Sequence, residues 1–390
     1  MRSRFPFFAV LVMLGLVVSA PASTLAQEVA KSSATETKAG QAYLIEASTG
    51  TVLLAKDERK SFAPASLAKL MTLEIVFQAL GKGEIRPDQV YPVSEFAWRT
   101  GGAPSRTSTM FAAVKSQVPV ADLVKGIAVQ TANDGCLILA EGMAGSEAKF
   151  VERMNARAAE LGLKDSHFAN ATGLPHPDNR STLVDLVRLA QHLQRSYPEL
   201  YKTFSIPEFE WNKILQRNRN PLLGMGADGL ATGFADGSGF AIVASAERNG
   251  RRLFLGLGGL ASDKERTEEA TRLINWGFDG FEMRRLFDKD EVIGEASVYG
   301  GAQSTVPLVA RTPVEVYVPV DNPERLQARI VYRWPLSPPV SKGAEIAVLN
   351  LFSGDRPLLS VPLQSAYAVE VGTLRQRAVD ALIELLFFWL

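Results

Sequence analysis

The chain has one cysteine and three histidines in 390 residues, and its 42 Lys plus Arg are matched by 42 Asp plus Glu. A single thiol excludes an intramolecular disulfide. Cys136 lies in the apolar helical stretch CLILAEGMAG, where a buried structural thiol is expected. A formal charge of zero and the lack of a basic stripe argue against nucleic acid as a partner. His167, His176 and His192 stand in no Ser-His-Asp context, no G-x-S-x-G elbow exists to hold a serine, and H-E-x-x-H metal spacing is missing. Surface or loop positions are expected for them, and no cofactor. No apolar run reaches the ~20 residues that a spanning helix needs.

The longest such run, the twelve residues Phe7 to Val18, follows Arg2 and Arg4 and precedes small residues that permit cleavage after Ala22 or Ala26. That is the pattern of a secretory signal over residues 1–26, so the folded protein is expected outside the cytoplasm. Residues 27–41 are polar and without periodicity, a linker. AYLIEASTGTVLLAKD then reads as two strands around a turn at Ser48 to Gly50. From Pro64 to Leu80 the apolar residues Leu67, Leu70, Met71, Phe77 and Leu80 recur at helical spacing.

Several helices follow over 119–200, and FAIVASAER and RRLFLGLGG flank Asn249-Gly250, a type I′ hairpin signal. Strands at both ends of a helical middle predict an α/β (α+β) domain over 42–288 in which one sheet collects both terminal segments. Short alternating runs such as EVYVPV and EIAVLNL predict a small all-β domain over 295–370. In the tail, 371–390, Leu374, Ala378, Leu382, Leu385 and Trp389 share one helical face and Arg377, Asp380 and Glu384 the other. An amphipathic helix ending in Phe387, Phe388, Trp389 and Leu390 is read as an interfacial anchor to a membrane surface, with a docking or dimer helix as the alternative.

The chemistry begins in PASLAKLMT. Ser66 and Lys69 are three residues apart at the start of a buried helix, so their side chains face the same way and can share a proton. A serine hydroxyl needs a base, and a buried lysine can be one because desolvation favours its neutral amine. The spacing alone is weak, since a helix start with a solvated lysine gives the same pattern. TAND at 131–134 adds a hydroxyl at Thr131 and an amide at Asn133 in a predicted loop, and ADGLATGFAD at 227–236 adds the edge of a strand. Together they make an acyl-transfer site without histidine.

These blocks, with LVKGIAVQTANDGCLILAEGMAGSEAKFVERMN, LGLKDSHFANATGLPHPDNRSTLVDLVRLA, RNPLLGMGADGL and INWGFDGFE, resemble the low-molecular-mass penicillin-binding proteins that act as serine-type D-alanyl-D-alanine carboxypeptidases. The likeness covers about 42–370. It implies a penicillin-recognising, β-lactamase-like catalytic domain followed by a β domain, on the periplasmic side of the inner membrane. The implied reaction removes the terminal D-alanine from peptidoglycan pentapeptide stems through an acyl-enzyme, and β-lactam antibiotics are implied ligands. By motif match Ser66 is the nucleophile, Lys69 its base, Asn133 a holder of the substrate peptide and Thr131 a proton relay. The backbone N–H groups of Ser66 and Phe234 would form the oxyanion hole.

Two positions depart from the pattern. Thr131 replaces a serine, keeping the hydroxyl. Ala231-Thr232-Gly233 replaces Lys-Thr-Gly, so the cation that normally meets the substrate's terminal carboxylate is missing. A hydrogen bond to a charged group is worth about 1.5–3 kcal/mol, one to two powers of ten; if that charge also tunes Lys69, the loss grows. Arg266, in SDKERTEE, matches an arginine near the site in the resembled family and is the candidate replacement, against a solvated arginine in a charge-rich loop. The alternative function is a membrane-associated pseudoenzyme that binds stems with weak or no activity. A β-lactamase shares the constellation but needs neither β domain nor anchor.

Overall fold

The computed structural model describes residues 36–320 and 326–387. The signal expectation, most of the linker and the last three residues lie outside them.

The chain opens with β1 (Gln41–Glu46) and β2 (Val52–Lys56), then a 3-10 turn at Ala65–Ala68 that runs straight into α1 (Lys69–Gly81). Next come β3 (Val90–Pro92), α2 (Glu95–Gly101), β4 (Gln117–Pro119), α3 (Val120–Gln130), α4 (Asn133–Ala144), α5 (Glu147–Glu160), α6 (Leu183–Ser196) and the single turn α7 (Pro198–Tyr201). After the small hairpin β5 (Glu208–Trp211) and β6 (Ile214–Arg217) stand three long strands, β7 (Ala227–Ala235), β8 (Gly239–Arg248) and β9 (Arg251–Leu260), and helix α8 (Asp263–Asp279).

Strand order in the central antiparallel sheet is β2-β1-β9-β8-β7, so both ends of this part of the chain join one sheet, and β7 is an edge. Asn249 and Gly250 both have positive φ, as the I′ turn between β8 and β9 demands. One face of the sheet packs Val243 and Phe254 against α1, α3, α4 and α6 through Leu70, Leu123, Leu137 and Leu186. The other packs Leu44, Ile242 and Leu255 against Ala270, Leu273 and Ile274 of α8. Thr182 and Ser262 cap α6 and α8 by accepting from the backbone N–H three residues on.

A second, all-β part follows. β10 (Phe281–Phe287) pairs with β13 (Val314–Pro319), while β11 (Val292–Ser297), β12 (Thr305–Val309), β14 (Leu326–Tyr332), β15 (Glu345–Ser353) and β16 (Arg356–Ser365) form a sheet of order β11-β12-β16-β15-β14. Alternating residues such as Val314, Val316 and Val318 build its own core. The two parts meet where Tyr317 N–H donates to Thr51 Oγ1 at 3.1 Å and the Arg251 guanidinium lies 3.9 Å from the centre of the Tyr317 ring.

Helix α9 (Leu374–Phe387) ends the described chain. Its polar side docks on the β part: Asp380 Oδ2 accepts from Gly300 N–H at 2.8 Å, and Gln376 Nε2 donates to Ala302 O at 3.1 Å. Its apolar side faces out, Leu374 at 78% and Leu382 at 57% exposure. Leu385 and Trp389, expected on the same face, lie outside the described side chains. Among the described residues no helix is long and apolar enough to cross a membrane.

Candidate active site

The site forms where the 3-10 turn, the α3–α4 junction and the edge strand β7 converge. Ala65, the residue before the serine, has φ +47°. Gly173 packs against it so tightly that a Cβ there would lie 1.9 Å from Ala65 O, and only glycine permits the approach. The neighbouring Thr172 carbonyl thereby reaches the base of the serine turn. Lys69 Nζ donates to Thr172 O at 2.5 Å and to Ser66 Oγ at 3.0 Å. Asn170 fixes the same loop, its Oδ1 accepting from Gly173 N–H at 2.7 Å.

Lys69 is only 3% exposed. Burial brings its pKa from 10.5 down to about 8. Cys136 is itself fully buried, and burial pushes its thiol up to about 12, so it supplies no thiolate nucleophile.

Thr131 closes α3 in the left-handed region, φ +59°, which is uncommon for a β-branched residue and characteristic of strained functional positions. Asn133, expected in a loop, is instead the first residue of α4. Thr131 and Ala132 alone separate the two helices, too short a link to leave Asn133 outside. Its Nδ2 donates to Thr107 Oγ1 at 2.9 Å, while its buried Oδ1 has no partner among the described residues. An unpaired buried acceptor in a cleft is positioned for a ligand donor.

Behind it, the fully buried Asp134 accepts from Met110, Ala112 and Gly135 N–H and from Thr109 Oγ1, at 2.6–3.1 Å. It fastens the 105–112 segment to α4.

β7 lies along the third side. Ala231 is 9% exposed and borders, with Ser66, Lys69, Thr131 and Phe204, a gap of only about 10 Å³. Gly233 passes close to the serine turn: a Cβ there would stand 3.1 Å from Pro64 O. Phe234 is 53% exposed and stacks on Phe240 at 4.6 Å between ring centres. Thr232, between Ala231 and Gly233, is half-buried.

Ser66, Asn133 and Phe234 share a cleft of about 510 Å³. Arg266 is not among its lining residues. It sits in α8 rather than in a loop, buried, ion-paired with Asp263 and 5.9 Å from the centre of the Phe240 ring. The cations that do line the cleft are Arg106 and Arg219, both exposed. Arg219 Nε donates to Gln130 Oε1 at 3.1 Å, and its Nη atoms bond to no described residue. Sequence reasoning missed both because they lie outside the three motifs. None of the three histidines lines this cleft: His192 bonds to the buried Glu74, and His167 to Asp178 O.

The D-alanyl-D-alanine carboxypeptidase family model matches residues 27–257, and that of the penicillin-binding protein 5 C-terminal domain matches 281–371. The chain is 33% identical to the D-alanyl-D-alanine carboxypeptidase DacD of Escherichia coli over 350 residues, 88% of this chain and 90% of that one. It is likewise 33% identical to DacC of the same organism, over 94% of this chain and 92% of that one. Penicillin-binding protein 5 of Haemophilus influenzae superposes with a TM-score of 0.71 at 32% identity, covering 86% of this chain and 98% of that one. With that fold, and with a serine held against a buried lysine, the chain belongs to the serine-type D-alanyl-D-alanine carboxypeptidases.

Proposed function

We propose that Ser66 attacks the carbonyl of the penultimate D-alanine in a peptidoglycan pentapeptide stem while neutral Lys69 takes its proton. The single observation that carries this reading is the 3.0 Å contact between Ser66 Oγ and a lysine whose burial brings its pKa to about 8. Backbone N–H groups of Ser66 and Phe234 stabilise the oxyanion. As the C–N bond breaks, the proton passes from Lys69 by way of the Thr131 hydroxyl to the leaving D-alanine amine. Water then attacks the Ser66 ester, and the tetrapeptide stem is released with the hydroxyl restored.

Asn133 Oδ1, buried and unpaired, accepts a substrate amide N–H. Ala231 contributes no charge, Thr232 and Gly233 line the strand along which the substrate lies, and Arg266 acts only by backing Phe240. The free Nη atoms of Arg219, with Arg106 beside them, take the terminal carboxylate in place of the missing lysine. β-Lactams, which carry a carboxylate near a reactive carbonyl, occupy the same cleft.

The exposed apolar side of α9, opposite its docked polar side, supports attachment to the membrane surface. Together with the amino-terminal signal pattern it favours the periplasmic side of the cytoplasmic membrane.

The test is D-alanine release from a D-Ala-D-Ala pentapeptide, with covalent labelling by penicillin, in the full chain and in Ser66→Ala. Release and labelling that both vanish in the variant are expected. No release from folded wild-type protein that still binds the pentapeptide would overturn the reading in favour of a stem-binding protein.

A further inference from the structure

Lys69 is one of two donors that α1 turns toward the same loop. Thr72, three residues on and so on the same face of the helix, is fully buried, and its Oγ1 donates to Ala171 O at 2.6 Å. Lys69 Nζ takes the next carbonyl, Thr172 O. Two adjacent carbonyls of one loop thus meet two donors of one helix, each carbonyl with its own partner. The amide side of the loop is held separately: Ala171 N–H donates to Glu147 Oε1 at 3.0 Å and Gly173 N–H to Asn170 Oδ1 at 2.7 Å. Besides Ala171 O, the Thr72 hydroxyl reaches only Met154 Sδ, at 3.9 Å, among the described residues.

With the loop pinned at those two amides, the hydroxyl decides which carbonyl is open to the lysine. A buried carbonyl stripped of its donor carries the full cost of desolvation until another donor reaches it. One carbonyl away on the same helix face, that donor is the Lys69 ammonium. A second carbonyl on Lys69 would favour its charged form and draw the nitrogen away from Ser66 Oγ. The titratable groups toward this junction are Cys136 and Asp134 of α4 and Glu147 of α5, while α3 and β7 present only Ile127, Ala128, Thr131, Leu230 and Ala231. Burial keeps the thiol protonated, and both carboxylates accept backbone N–H groups that do not involve Thr72.

We infer that Thr72 is a positioning residue for the acyl-transfer base: its hydroxyl occupies the Ala171 carbonyl, so that Lys69 meets one loop carbonyl rather than two and stays within reach of the Ser66 proton. The inference rests on the acyl-transfer reading for the role of Lys69.

The experiment follows acylation of the full chain by a fluorescent penicillin against pH in wild type, Thr72→Val and Thr72→Ser. In Thr72→Val the midpoint should rise by about one unit, the worth of a hydrogen bond from a charged donor, and the rate at pH 7 should fall about tenfold. Thr72→Ser keeps the donor and should restore the wild-type midpoint. Thr72→Cys, of similar size but a weak donor, should move the midpoint in the same direction as valine and serves where the valine variant folds poorly. A midpoint unmoved in Thr72→Val and Thr72→Cys, whatever their rate or stability, would make the hydroxyl merely structural and overturn the inference, as would a serine variant that behaves like valine. The same midpoints are read without turnover from the ε-carbon of Lys69 in chains labelled with ¹³C-lysine, its signal assigned by its loss in Lys69→Gln. A Lys69 titration that shifts with Thr72 in a chain that penicillin never acylates would sink the acyl-transfer reading and keep the positioning role. Acylation whose midpoint ignores Thr72 would do the reverse.

Discussion

The pH dependence of acylation tests the role of Lys69 most directly. An ordinary lysine titrates near 10.5, and burial brings this one to about 8, a cost to the ammonium of roughly 3 kcal/mol. At pH 7 about a tenth of the chains then carry the neutral amine, roughly 300-fold more than an unshifted lysine would give. The second-order rate of acylation by a fluorescent penicillin, followed by stopped flow from pH 6 to 10, should rise about tenfold per unit at low pH and level off above about 8. The penicillin carboxylate keeps its charge throughout that range. A rate still climbing tenfold per unit at pH 10 would mean a solvated lysine, and a flat profile would mean another base; either result refutes the reasoning. Stability follows the same shift. Between about 8 and 10.5 the unfolded chain binds the proton that the folded chain has lost, so Lys69 makes stability rise with pH across that window, and its full cost is present below 8.

Three further variants have expected outcomes. Ala231→Lys should lower stability by about 1–3 kcal/mol in denaturant titrations, because the gap beside Ala231 is about 10 Å³ and is bounded by Leu73, Ile127 and Phe204. The added ammonium should also move the midpoint of the acylation profile below that of wild type. Arg219→Ala should raise KM for the pentapeptide about 10- to 100-fold, the worth of a charge-assisted hydrogen bond. Arg266→Ala should leave KM within about twofold, since a residue outside the cleft that pairs with Asp263 has no contact to lose with substrate.

Much of this was legible in the sequence because it is local. The Ser66 to Lys69 spacing, the Asn249-Gly250 turn and the alternation in β8 each depend on a few neighbouring residues, and each sits where the pattern put it. The serine turn is less regular than its helical spacing predicts: residues 65–68 form a 3-10 turn, entered through the positive φ of Ala65. What stayed hidden is non-local. The carbonyl that holds Lys69 belongs to Thr172, 103 residues on, and the cleft cations lie outside the three catalytic motifs. Arg266 misled because its place in the charge-rich SDKERTEE says nothing of Phe240, whose ring stands beside its guanidinium. The hydroxyl-rich stretch Ser105 to Thr109 was readable as polar, but its attachment to Asn133 and Asp134 exists only in the folded chain.

The missing lysine of the third motif bears differently on the two halves of the chemistry. A neighbouring cation is one way to depress the pKa of a lysine, and burial is another. Here burial does it, and no cation contributes to the lowering. The base therefore does not depend on a charge at position 231, where an alanine closes the wall with Leu230, Phe204 and Ile127 and keeps water off the amine. Recognition of the carboxylate is the half that a residue at 231 would have served. That task needs a cation with free donors open to solvent, and Arg219 has them, tethered by its Nε to the residue before Thr131. Separating the two tasks makes each removable alone: a change at Arg219 should leave the pH midpoint of acylation where burial sets it, while a change that opens the wall around Lys69 should move the midpoint and leave carboxylate binding intact.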